Sequence, residues 1–102
     1  MTKLSLEEII QDLRALEARS RAYERKYGVT SQDFYALYQE GLLDDEGFEQ
    51  STEFTRWAST YALKLEREAM FEAASQSFVS SLQRTAGDQS IRLMPTPQLV
   101  HA

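Results

Sequence analysis

Between Thr52 and Ala86 the chain carries neither Gly nor Pro. Both break helices, by about 1 and about 3 kcal/mol relative to Ala, so a run this long without them dictates one long helix. If helical from Thr52 to Arg84, it reaches about 50 Å at 1.5 Å per residue. The other long breaker-free stretch covers residues 1–27 and stops at Gly28; helical from Ser5 to Tyr27, it reaches about 35 Å. The first helix cannot cover the third. Some apolar surface of the third must meet a bend, a second copy or another protein.

The ends of these helices are written in the sequence. Ser5 with Glu8 three residues on is a capping box. Leu6, Ile9, Leu13, Leu16, Ser20, Tyr23 and Tyr27 then alternate steps of three and four, an a/d heptad seam. Arg25 and Lys26 complement the carbonyl end of the helix dipole, and Gly28 stops the helix. Thr30 with Asp33 predicts a second box, opening a short helix over Ser31–Glu40 with Phe34, Leu37 and Tyr38 on its inner stripe. Gly41 ends it, and Leu42–Gln50 reads as a connecting turn. Ser51 or Thr52 caps the third helix. From Thr85 onward the chain changes character. Gly87, Pro95 and Pro97 exclude a helix, while Ile91, Leu93, Met94, Leu99 and Val100 are more apolar than a linker requires. The alternation Ser90-Ile91-Arg92-Leu93 suits a strand added to another sheet edge.

The expected fold is all-α: a helical hairpin or three-helix arrangement with a short middle helix, a long third helix and an irregular C-terminal tail. Residues 1–84 make the helical domain and residues 85–102 a Pro-containing tail. At 102 residues one domain is the ceiling. No run approaches the roughly 20 apolar residues of a membrane span, and Glu7, Glu8 and Asp12 argue against a signal peptide. A cytoplasmic location is therefore expected, with no membrane partner.

Little in the chain points to catalysis. There is no Cys, and the single His, His101, sits next to the last residue, where nothing would hold a catalytic base. The turn Asp44-Asp45-Glu46-Gly47-Phe48-Glu49 lacks the alternating oxygen ligands and the closing Glu of a calcium loop. No enzyme activity, cofactor or metal is expected.

Charge gives a sharper signal. Between Tyr27 and Thr55 there is no Lys or Arg, yet there are seven acids: Asp33, Glu40, Asp44, Asp45, Glu46, Glu49 and Glu53. The net charge of -5 thus divides into -7 here and +2 elsewhere. Such a balance opposes direct nucleic-acid binding, which needs a cationic face, and suits a basic protein partner. Tyr35 and Tyr38 flank the acids as candidate anchors, since Tyr and Trp dominate interface hot spots; the alternative for the aromatics is a small core with wet hydroxyls. Asp44, Asp45, Glu46 and Glu49 are candidate contacts in the turn. Phe71, Phe78 and Leu82 on the third helix, with Ile91 and Leu93 in the tail, are candidate apolar contacts, because residues 69–83 hold one charge, Glu72. Leu6, Ile9, Leu13 and Leu16 form either an intrachain contact or a homodimer seam; the uncovered length of the third helix favours the dimer.

Glu24, Lys26-Tyr27-Gly28, Thr30-Ser31, Asp33-Phe34-Tyr35, Gly41, Leu43, Asp44-Asp45, Phe54, Trp57-Ala58 and Tyr61 together resemble a group of small bacterial and cyanobacterial proteins regarded as antitoxins of type II toxin–antitoxin pairs. Their core reads E-x-K-Y-G-(M/V)-(S/T)-S-x-(E/D)-F-Y, then G-x-L-x-D and (D/E)-F-x-x-W-A-x-x-Y. The likeness covers about residues 23–65. It departs in a longer span from Gly41 to Trp57, which enlarges the acidic loop, and in a third helix and tail that run past the family core. What the resemblance implies is a non-catalytic antitoxin that neutralises a small basic toxin, RNA-targeting in many such pairs, by occluding it. If antitoxins of this kind hold the toxin with a C-terminal segment, that segment here is residues 69–102. The alternative is a helical homo-oligomeric adaptor or scaffold.

Clustered rim charges act on association rate, in a salt-dependent way, and little on stability. Replacing Asp44, Asp45, Glu46 and Glu49 by Ser or Asn is therefore expected to leave the melting temperature nearly unchanged. It should slow capture of the cognate partner in stopped-flow measurements and flatten the dependence on ionic strength. An unchanged low-salt rate would leave these acids as a solvated turn.

Overall fold

The computed structural model describes residues 4–44 and 47–95. It contains three helices: α1 over Leu6–Tyr27, α2 over Ser31–Gln39 and α3 over Phe48–Ala86. No strand occurs among the described residues. The expected all-α class, the short middle helix and the long third helix are all present. The molecule measures 60 × 31 × 27 Å, its length set by α3.

Local chemistry sets the boundaries. Ser5 Oγ accepts from the Glu8 N–H at 3.1 Å and Glu8 Oε1 accepts from the Ser5 N–H at 3.3 Å, so the first capping box is complete. Gly28 takes a left-handed backbone, φ 74°, and donates its N–H to the Glu24 carbonyl. The second box forms only half. Thr30 Oγ1 accepts from the Asp33 N–H at 3.0 Å, and the shorter Asp33 side chain does not return the bond. At the end of α2, Glu40 is the cap residue, and Gly41, φ 69°, donates to Tyr38 O while Leu42 donates to Leu37 O. That paired closure satisfies two orphan carbonyls.

The start of α3 differs from the expected Ser51 or Thr52. Gly47, extended at φ -95° and ψ 140°, is the N-cap, with no side-chain cap. The Ser51 N–H donates to Gly47 O at 2.9 Å, which carries the helix one turn further back. Glu49 then lies in the first turn, where its charge suits the dipole. At the far end Gly87 stops α3 after Ala86. Residues 90–95 adopt neither helix nor strand, so the expected Ser90–Leu93 strand is not formed within the single chain.

α1 and α3 form an antiparallel hairpin. Its register is fixed by Lys26 on Glu53, Tyr23 on Trp57 and Asp12 on Arg67. Ile9, Leu13 and Leu16 are buried within this hairpin and Leu6 is exposed. The heptad seam therefore serves the intrachain contact. It does not present the dimer surface expected of Leu6, Ile9, Leu13 and Leu16, because α3 already removes three of the four from water. Carried back to Leu6, the register ends near Ala73. The rest of α3 has no helix beside it, as the lengths required.

The second part of the core is an aromatic corner. α2 folds back from Gly28 and lays Phe34 flat on Trp57, with ring centroids 3.8 Å apart and planes 5° apart. Tyr23 and Tyr27 stack on Trp57 at 5.4 and 5.6 Å, and Phe54 packs edge-on to Tyr27. Ser31 Oγ accepts the Trp57 indole N–H at 2.9 Å inside this cluster. Glu24 Oε2 accepts the Ser31 N–H at 2.8 Å.

Two buried serines give opposite expectations. Ser31→Ala strands the Trp57 N–H without a partner and should cost about 1–3 kcal/mol. Ser20 Oγ is buried with no hydrogen-bond partner, so Ser20→Ala removes an uncompensated hydroxyl and gains helix propensity. It should be neutral or mildly stabilising in urea unfolding followed by Trp57 fluorescence. Equal losses at both sites would contradict this account of the corner.

Candidate functional site

Most residues of the Glu24–Tyr61 motif converge on the aromatic corner and have a packing or hydrogen-bonding task there; Asp44 is exposed, and Asp45 lies outside the described residues. Glu24 receives the first N–H of α2, Ser31 receives the indole N–H, and Gly28 and Thr30 turn and cap the chain. Tyr35 sets its ring 5.2 Å from Tyr61, and Ala58 is buried in the cluster. These positions describe how α1, α2 and α3 meet.

One edge of the corner is polar. Lys26 Nζ bonds both Glu53 carboxylate oxygens at 2.9 Å, and the Tyr27 hydroxyl donates to Glu53 Oε2 at 3.0 Å. The bond from Lys26 holds the Glu53 carboxyl below the usual carboxylate range, against an opposing contribution from burial. The same bond raises Lys26. Burial, then the bond to Glu53, raises Tyr27. Glu53 is thus committed to the hairpin and is not a free member of the acidic stretch.

The acidic surface is also less one-signed in space than in sequence. A shallow depression of about 380 Å³ beside Glu53 brings Lys26 and Arg56 next to Glu49, with Phe48 on its rim. Phe48, 87% exposed, is the most exposed large hydrophobic side chain of those described. Sequence reading placed it in a hydrophilic turn. The signal that could have found it was Gly47, whose position lets the helix begin with Phe48 as its first residue.

The anticipated contact residues divide into three groups. Asp44 and Glu49 are exposed near the corner; Asp45 and Glu46 lie outside the described residues, as does His101. Tyr38 lies at the surface with its ring 5.7 Å from Phe34, whereas Tyr35 is half-buried and its hydroxyl accepts from Gln39. The third group is distal. Phe71, Phe78, Ile91 and Leu93 are exposed, and Leu82 is half-buried. Phe78 is 59% and Leu93 73% exposed. The two ends are separated along α3 by Lys64 and Glu68, an ion pair at 3.2 Å on the face turned toward α1. The acidic corner and the apolar overhang are therefore distinct surfaces about 30 Å apart at 1.5 Å per helical residue.

No helix among the described residues is long and apolar enough to cross a membrane. Nor do three or more His, Cys, Asp or Glu residues gather as metal ligands among them. Comparison with protein-family models, with curated proteins and with solved structures gives no match.

The Glu53 cluster predicts a pH window. A carboxyl depressed on folding contributes stability above its ordinary value of 4.5, and that contribution is lost as pH falls through the lowered folded value. The raised Lys26 and Tyr27 groups contribute below their ordinary values, and their contributions fade as pH rises through the folded ones. Glu53→Gln should lower the melting temperature slightly at neutral pH, because an exposed pair is weak. The gap from the unmodified chain should close as pH drops below about 4.5 in circular-dichroism melts. A gap that stays constant with pH would show that the ion pair contributes nothing.

Proposed function

We propose that this chain is a non-catalytic binding protein of the antitoxin kind, which neutralises a small basic protein by covering it. The observation that carries this reading is the overhang of α3. Its inner face runs on past the last residue that α1 can reach, with Phe78 and Val79 exposed. A bare apolar helix face is the usual means of docking on another protein. The second support is the exposed acid at the opposite end, where Asp44 and Glu49 stand clear of the corner. Attraction there would speed the encounter with a basic partner. Contact along the overhang and the tail would set its lifetime, since affinity differences reside mostly in dissociation. Toxins that act on RNA carry cationic sites, which is the chemistry that exposed carboxylates such as Asp44 and Glu49 would complement. The resemblance of residues 23–65 to antitoxins agrees with this division of labour.

A scaffold reading uses the same overhang to join copies of this chain alone. It is favoured by the near absence of charge over residues 69–83, where Glu72 stands alone. The two readings part on whether a different protein is captured.

The test is co-expression with the product of the adjacent gene, followed by pull-down and growth measurements. The antitoxin reading expects a one-to-one or similarly defined complex and rescue from that product's toxicity. Truncation after Arg84 should speed dissociation at least tenfold, with a smaller effect on association. No capture and no rescue would sink the antitoxin reading and leave the scaffold.

A further inference from the structure

The spacing of the α3 face that packs on α1 runs on where α1 ends, past the charged pair Lys64 and Glu68. Phe54, Trp57, Tyr61, Lys64, Glu68, Phe71, Ser75, Phe78, Leu82 and Thr85 recur in steps of three and four, a single a/d seam running through α3. α1 covers it only as far as about Ala73, the residue that the Asp12–Arg67 register sets opposite Leu6. From there to Ala86 the seam is open, over about 20 Å of helix. We propose that in the free protein this open segment is filled by the same segment of a second copy, packed antiparallel across a two-fold axis. The proposal rests on reading the overhang as a docking face and describes what holds that face before any other partner arrives.

Three features favour a second copy. The described part of the chain's own tail does not do the task, because Ile91, Leu93 and Met94 are themselves exposed. Charge does little to oppose self-association, since residues 73–86 hold only Arg84. Most specific is the fit in length and side-chain size. When Phe78 is placed against Leu82 of the second copy, symmetry places Leu82 against that copy's Phe78, giving two large layers. Ser75 then meets the second copy's Thr85, and Ala74 its Ala86, so small residues close both ends. In this register the second copy's α3 ends at the level where α1 begins. Each overhang thus occupies the space that α1 leaves vacant, and the contact is isologous and closed. Two helix faces of this length fall short of the roughly 1,200 Å² typical of permanent interfaces. The dimer is therefore of the weak, exchangeable kind, suited to give way to a tighter partner.

The full chain alone supplies the test. Sedimentation or light scattering from a few micromolar to a few hundred micromolar should show a reversible monomer–dimer equilibrium. Phe78→Glu should weaken it at least tenfold while the circular dichroism of the dilute protein keeps its helix content. A chain that stays monomeric throughout overturns the proposal. So does a dimer that Phe78→Glu leaves intact. Because the chain has no Cys, alignment is readable by single introduced thiols, even if Phe78→Glu misfolds. An equimolar mixture of Ser75→Cys and Thr85→Cys chains should form a mixed disulfide under mild oxidation, and Ser75→Cys alone should not. Ready self-linking of Ser75→Cys would show a parallel pair and overturn the antiparallel arrangement. A monomeric free chain that still captures and neutralises the adjacent gene product overturns this inference and leaves the proposed function standing.

Discussion

The Trp57 side chain holds the three helices in one arrangement. Its ring is covered by Phe34 from α2 and by Tyr23 and Tyr27 from α1, and it is only 1% exposed. Its N–H, which would be costly to bury alone, is accepted by Ser31 at the first turn of α2. α2 has nine residues, too few to be stable as an isolated helix. It persists because Thr30 and Glu24 satisfy its first N–H groups and because Phe34 has a flat apolar surface to lie on. Removing the indole would remove the surface, the hydrogen-bond donor and the reason for the turn at Gly28 together.

That corner also explains why the residues from Glu24 to Trp57 that meet in it say more about folding than about binding. Glu24, Tyr27, Ser31, Phe34 and Trp57 have little capacity left for a ligand. Glu53, which looks like one acid among seven in the sequence, is tied to Lys26 and Tyr27. The surfaces with unused capacity lie to either side: exposed carboxylates and Phe48 at one end, and the bare end of α3 at the other.

The hairpin between them is weakly apolar at its middle. Lys64 pairs with Glu68, and Arg67 reaches Asp12 at 3.1 Å. Partly exposed ion pairs of this sort add little net stability, but the one between Arg67 and Asp12 crosses from α3 to α1 and fixes which of their residues lie opposite one another. That register decides how much of α3 is left over. A slip of one heptad toward the C-terminus would bring α1 over Phe78 and shorten the open face by two turns, at the cost of every stacking contact around Trp57.

Much of the architecture was legible in the residues alone. Capping at Ser5 and Thr30, glycine stops at Gly28 and Gly41, and the breaker-free run to Ala86 defined three helices and a mismatch in their lengths, because each is a local property of the backbone. What failed locally failed for a local competitor: Gly47 took the capping position ahead of Ser51 and Thr52, and Asp33 was too short to return the Thr30 bond. The partners of each face were a different matter. Periodicity marked Ile9, Leu13 and Leu16 as apolar knobs without saying whether the opposing holes belonged to this chain or another. Only the antiparallel register, set by long-range contacts such as Tyr23 on Trp57 and Asp12 on Arg67, assigned those knobs to α3 and left Phe78 exposed among the described residues. Helix ends follow from bonds within a few residues of one another, whereas burial follows from which distant segments come together, and a heptad pattern carries no record of that.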